Sequence, residues 1–133
     1  MRWWLVAGGA LLAMTGAAQA HHSIAGFYDS SREMTVEGIV SQFRFVQPHP
    51  FVLVNVLRSG TGEQWHLELD NRWELVEIGF TETTLKPGDR VVVTGSPARR
   101  EPQRLYVRRL DRPADGFGYE QVGTRPRLRK SAR

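Results

Sequence analysis

Five short runs rich in β-branched and aromatic residues, broken once by a segment with helical spacing, limit this chain to a small curled β-structure. The first run, 34–46, carries Val36, Ile39, Val40, Phe43, Phe45 and Val46 and stops at Pro48-His49-Pro50. Gly38 and the phase shift between Val36/Val40 and Ile39/Phe43/Phe45 predict a bulge or sharp coil where this strand passes between two faces. A second run covers 51–57. Ser59-Gly60-Thr61-Gly62 is a hairpin connection to a third at 64–69, where Trp65, Leu67 and Leu69 alternate with His66 and Glu68. Asn71 then stands where a helix cap is wanted, with Glu74 three residues on as in a capping box, and Gly79 ends a helix expected over 72–78. Trp73 and Val76 are i,i+3 neighbours and are expected to plug the end of a barrel. After a single turn at 81–85, Lys86-Pro87-Gly88-Asp89 is a turn signal before a fourth strand at 90–94; a polar loop at 97–103 leads to a fifth at 104–110. Three strands, a helix and two strands is the order of the OB-fold, a five-stranded, partly open Greek-key barrel. Another small five-stranded barrel or a curled sheet is the alternative.

The two ends differ from this middle. Arg2, the apolar run 3–14 and the small residues of Ala18-Gln19-Ala20 occur in the order of a secretory signal peptide. An apolar run of about a dozen residues falls short of the roughly 20 that a spanning helix needs, so cleavage after Ala20 and a periplasmic or secreted mature protein are expected. An uncleaved anchor is the alternative, and it would lock the His21 amine into a peptide bond. Residues 21–133 then make one domain with a single core, carrying 17 Lys and Arg against 14 Asp and Glu. Much of the positive excess lies in Arg125, Arg127, Arg129, Lys130 and Arg133. The expected division is a signal peptide at 1–20, a barrel at 21–112 and a basic, disordered tail at 113–133 that is solvated or makes a weak contact with an anionic envelope surface. There is no cysteine, so the domain must be held by its core alone.

Four histidines are present, and two of them, His21 and His22, open the mature chain. An α-amine with a pKa near 7.7 to 8 is partly unprotonated at neutral pH and can bind metal together with the Nδ1 of the same residue. One more imidazole completes a three-nitrogen, T-shaped histidine brace, which suits the tetragonal preference of Cu(II). His49, in a loop stiffened by Pro48 and Pro50, is the first choice for that nitrogen. His22 is the second, because an amine, the next amide nitrogen and a histidine at position two also chelate copper. The other reading of the same residues is a frayed, solvated terminus. His66, on the polar side of the third strand, reads as a solvent-facing strand residue. No nucleophile elbow, cysteine, His-Glu-x-x-His helix or phosphate-binding glycine loop is found, so no enzyme is expected. Phe43, Phe45, Phe51 and Trp65 could stack bases as in other OB-folds, but an exported domain rarely meets a single strand, and the aromatics are expected in the core. A metal ion is thus the expected partner, with nucleic acid not expected.

His21-His22-Ser23, Phe27-Tyr28-Asp29, Val36-Glu37-Gly38-Ile39-Val40, Pro48-His49, Trp65-His66-Leu67-Glu68 and Leu85-Lys86-Pro87-Gly88-Asp89 together resemble a family of small exported bacterial proteins, the domain of unknown function family 6152. The resemblance runs from about 21 to 112, and the His-His start with the later Pro-His is its most specific part. It implies export and a compact β-rich domain, without implying an activity. The family form commonly has Asn before the Pro of the Pro-His loop, where this chain has Gln47. The overall expectation is an exported small barrel that binds copper as a carrier or sensor, with a non-metal envelope module as the alternative.

Overall fold

A computed structural model describes residues 23–58 and 61–129; the expected signal peptide, His21 and His22 lie outside the described residues. Among the described residues, beyond the helical turn at 23–27, seven strands and one short helix follow each other as β1 (Met34–Arg44), β2 (Phe51–Arg58), β3 (Thr61–Glu68), α1 (Arg72–Glu77), β4 (Arg90–Pro97), β5 (Arg104–Arg112), β6 (Phe117–Val122) and β7 (Arg125–Arg129). The sheet order is β3-β2-β1-β4-β5-β6-β7, and β3 also pairs with β5 in parallel, which closes the first five strands into a barrel of OB-like topology. A helical turn at 23–27 precedes the barrel.

Strand β1 coils through two pairings, as its phase shift implies. Residues 34–39 pair with β4 and 39–44 with β2, and the register slips between Val40 and Gln42. Gly38 sits at the changeover because a Cβ there would run into the Asn55 carbonyl oxygen and come within 2.7 Å of Val54 Cγ1. Inside the barrel Val36, Val40, Val52, Val54, Trp65, Leu67, Val91, Val93, Leu105 and Val107 are buried, with Phe43 and Phe45 packed against them. Such β-branched and leucine side chains fill the narrow interior of a five-stranded barrel without leaving polar atoms inside.

The plug is made by different residues from those expected. Asn71 does cap α1, its side chain accepting from the Glu74 amide at 3.0 Å. On this helix, however, Trp73 is 71% exposed and Val76 42%, whereas Leu75 is fully buried. A six-residue helix has room for one inward position. Leu75 takes it, and the larger Trp73 is turned to solvent. Phe80, just past the helix, packs edge-on against Phe43, Phe117 and Tyr119.

Tyr119 and Phe117 belong to the segment expected to be a disordered tail, and this expectation is corrected for residues 117–129. They form an antiparallel hairpin that extends the sheet from β5, with Gly123 at φ +63 in its turn. Two of its three arginines meet acids: Arg127 lies 2.6 Å from Glu120 and Arg129 pairs with Asp111. Tyr119 is fully buried and gives the hairpin the apolar anchor that the charge count concealed. Pro126 sits in the edge strand, where a missing N–H leaves no ladder bond broken.

Denaturant unfolding checks this arrangement. Trp73→Ala is expected to change stability by less than about 0.5 kcal/mol. Leu75→Ala should cost about 2 to 5 kcal/mol and Tyr119→Ala about 3 to 5 kcal/mol.

Candidate functional site

The residues preceding β1 are fastened across the outside of the barrel. The Asp29 amide donates to the Pro97 carbonyl at 2.9 Å, the Arg99 amide to the Phe27 carbonyl at 2.9 Å, and Tyr28 forms a bridge with Ala98. Tyr28 is the buried member of this clasp. Its hydroxyl bonds the Glu68 carboxylate and receives the Arg104 Nε at 3.1 Å, while its ring lies 5.6 Å from that of Tyr106. Burial first, and the Glu68 carboxylate second, push the Tyr28 hydroxyl above the usual phenol range, so it stays protonated and acts as a donor. Arg104 also lies 4.8 Å from the Phe27 ring centroid, which pins the residue next to the clasp.

His49 occupies the loop between β1 and β2, which is secured to the entrance of α1. The Leu69 amide donates to the Pro50 carbonyl at 2.8 Å and the Arg72 amide to the Pro48 carbonyl at 3.0 Å. The half-buried His49 ring is oriented by the contact of its Nδ1 with the Leu69 carbonyl at 3.0 Å. A carbonyl oxygen can only accept, so Nδ1 carries the hydrogen and the neutral ring offers its lone pair at Nε2. Of the three expected metal ligands, His49 is the one within the described residues. Among the described residues no three His, Cys, Asp or Glu side chains come together as a metal-holding group.

His66 departs from its expected role. It is on the outer side of β3, but it stacks on Phe51 with ring centroids 4.4 Å apart and 20° between planes, and its Nδ1 is buried without a hydrogen-bond partner. Burial and then the nearby Arg104 charge hold its pKa below the ordinary imidazole range. Of the aromatics considered for base stacking, Trp65, Phe43 and Phe45 are committed to the core, and Phe51 to His66.

One cleft of about 490 Å3 opens on the outer face, lined among others by Ile24, Ala25, Tyr28, Asp70, Ser96, Tyr106, Arg108 and Gln121. The sequence pattern assigned none of these residues to a site. The Asp70 carboxylate receives the Asn71 amide at 2.8 Å. Its other oxygen accepts from Gln121 Nε2 at 3.0 Å, a contact across 51 residues.

Residues 10–104 match a family of unknown function, DUF6152. The chain belongs to this family. No curated protein matches it. The matched span contains His21, His22, His49, the Tyr28 clasp, Asp70 and Ser96, and it stops at Arg104, before Tyr106, Arg108 and Gln121.

The depressed His66 pKa has a consequence for stability. Between the folded value and the unfolded value of about 6.5 the unfolded chain binds more protons at this ring, so its contribution to stability falls as pH drops below about 6.5. His66→Gln should flatten this part of the stability curve, measured by urea unfolding between pH 7 and 5. An unchanged slope would mean that the buried ring is not its source.

Proposed function

We propose that this chain is an exported envelope protein that binds one Cu(II) through the amine and Nδ1 of His21 and Nε2 of His49, serving as a metal carrier or sensor. The observation that carries the reading is the Leu69 carbonyl on His49 Nδ1. Metal-bound histidines nearly always donate their second ring nitrogen to a carbonyl or carboxylate, which fixes the tautomer and leaves the ligating lone pair in a set direction. The loop carrying His49 is further held by the backbone bonds of Pro48 and Pro50, so little entropy is lost on binding.

The remaining nitrogens of the proposed site come from His21. Ile24 and Ala25 line the same cleft as Asp70, whose preceding residue, Leu69, holds the His49 ring. Ile24 is three positions after His21, a reach of at most about 11 Å. Export supplies the free amine, since cleavage after Ala20 makes His21 the first residue. The basic end of the chain offers less to an anionic surface than its composition suggests, because Arg127 and Arg129 already face Glu120 and Asp111.

Intact mass of the protein recovered from the periplasm should correspond to a chain beginning His-His-Ser. With this form, calorimetric titration should give one Cu(II) per chain, bound more tightly than Zn(II). Affinity should fall with pH as the amine and imidazoles take up protons. Adding one residue before His21, or replacing His49→Ala, should each weaken copper binding by at least about tenfold and change the nitrogen hyperfine pattern in the electron paramagnetic resonance spectrum. Undiminished binding by the extended protein rejects the brace. Undiminished binding by His49→Ala with a loss in His22→Ala moves the site to the first two residues alone.

A further inference from the structure

The charged groups of the 490 Å3 cleft do not cancel one another. Asp70 is only 4% exposed, and among the described residues its carboxylate faces no cation; its two oxygens are met by the Asn71 amide and the neutral Gln121 side chain. Leaving a buried carboxylate without a counter-charge is costly. Arg108 is the opposite case. Its Nη2 donates to the Ser30 carbonyl at 2.9 Å, and it meets no carboxylate among the described residues. The strand pairing shows how this guanidinium is aimed. Thr94 pairs with Arg109 and Gly95 with Val107, so Arg108 is the extra residue of a β-bulge. Bulges re-aim a side chain out of the regular ladder and are concentrated beside functional sites.

Two hydroxyl groups complete the floor. Ser96 is 2% exposed and its Oγ has no hydrogen-bond partner. It lies directly across from Tyr106 in the β4–β5 ladder. The Tyr106 oxygen accepts from Gln121 Nε2 at 2.9 Å, which leaves its hydrogen to be donated. Burial pushes this phenol above its usual range, so the hydrogen is retained. The cleft therefore presents a buried anion with no cation, a cation with no anion, and two hydroxyl donors, in a volume within the roughly 300 to 1,000 Å3 of small-molecule sites.

We propose that this cleft is a binding site for a small zwitterion, a free α-amino acid or a short peptide, whose ammonium group meets Asp70 and whose carboxylate meets Arg108 and Ser96. The carboxylate matches the guanidinium fork, which binds it through two parallel hydrogen bonds. The ammonium supplies the charge that Asp70 lacks. A neutral ligand would leave both charges unbalanced, and a simple anion or cation would balance only one.

The site shares no residue with the proposed copper ligands, and the test keeps the two apart by using metal-free mature protein, since amino acids themselves chelate copper. Amide chemical shifts would be followed during titration with L-alanine, L-leucine and the dipeptide Ala-Ala to about 10 mM, a range that covers weak small-ligand affinities. Saturable shifts at Ser96, Tyr106 and Gln121 are expected. Preference for the single residues assigns a free amino acid, and preference for Ala-Ala assigns a peptide; both support the proposal. N-acetyl-alanine and alaninamide, which lack the ammonium and the carboxylate respectively, should bind at least about tenfold more weakly. Arg108→Gln and Asp70→Asn should reproduce those two losses, and Ser96→Ala, which removes one oxygen, should weaken binding in a fold that is kept. Absence of saturable shifts for all three zwitterions overturns the proposal, as does equal binding of the blocked analogues.

Discussion

Closure of the barrel rests on a narrow seam. Strand β3 meets β5 in parallel over only three residue pairs, His66 with Arg104, Leu67 with Leu105 and Glu68 with Tyr106, whereas β2 and β3 pair over eight. So few ladder bonds cannot hold two strand edges together against water by themselves. The structure closes the seam from both sides. On the outside, Tyr28 and Arg104 meet at Glu68, tying the segment before β1 to β3 and β5 together. At the barrel end, Leu75 and Phe80 from the helical segment and Tyr119 from the hairpin supply apolar cover from two separate parts of the chain. The clasp and the cover thus explain why a five-stranded barrel carries additions at both of its ends.

The order of the barrel elements was legible because its punctuation is local. Lys86-Pro87-Gly88-Asp89, Pro48-His49-Pro50 and the Asn71 cap each act within a few residues, and Gly38 marks a contact that no side chain could make. What escaped sequence reasoning depends on distance. The hairpin at 117–129 alternates as a strand should, but its cations match Glu120 and Asp111 only once the chain is folded, so composition alone spoke for disorder. In α1, side-chain bulk favoured Trp73 as the plug. The position that faces inward is set by how the helix leaves β3, and that position holds Leu75. The Leu69 carbonyl that orients His49 stands 20 residues away, and nothing in the sequence near Pro48 announces it.

The distribution of charge separates structural pairs from unmatched groups. Arg112 is satisfied three times, by the Thr84 carbonyl at 2.7 Å, Asp89 at 2.8 Å and Asp115 at 2.8 Å, and it also covers the Phe117 ring. The Arg112 side chain is largely buried in these contacts, which set where the hairpin docks. Against this background Asp70 and Arg108 stand out. Arg90, Arg104, Arg109, Arg112, Arg127 and Arg129 meet acids, whereas around this cleft a buried carboxylate and a bulge-borne guanidinium each lack an opposite charge among the described residues.

The segment before β1 and the C-terminal hairpin meet at that cleft. Ile24 and Ala25 form one wall, Gln121, Gly123 and Thr124 the other, with β4 and β5 between them. The family match, ending at residue 104, takes in the first wall, Asp70 and Ser96. Arg108 and Gln121 lie beyond it, on β5 and on the hairpin. His21 and His49 lie within the match. A copper site built from these histidines would therefore draw on residues inside the family span, whereas a zwitterion site would depend on the docking of the hairpin. Since that docking rests on the burial of Tyr119, the ligand chemistry of the cleft is tied to the same contact that covers the end of the barrel.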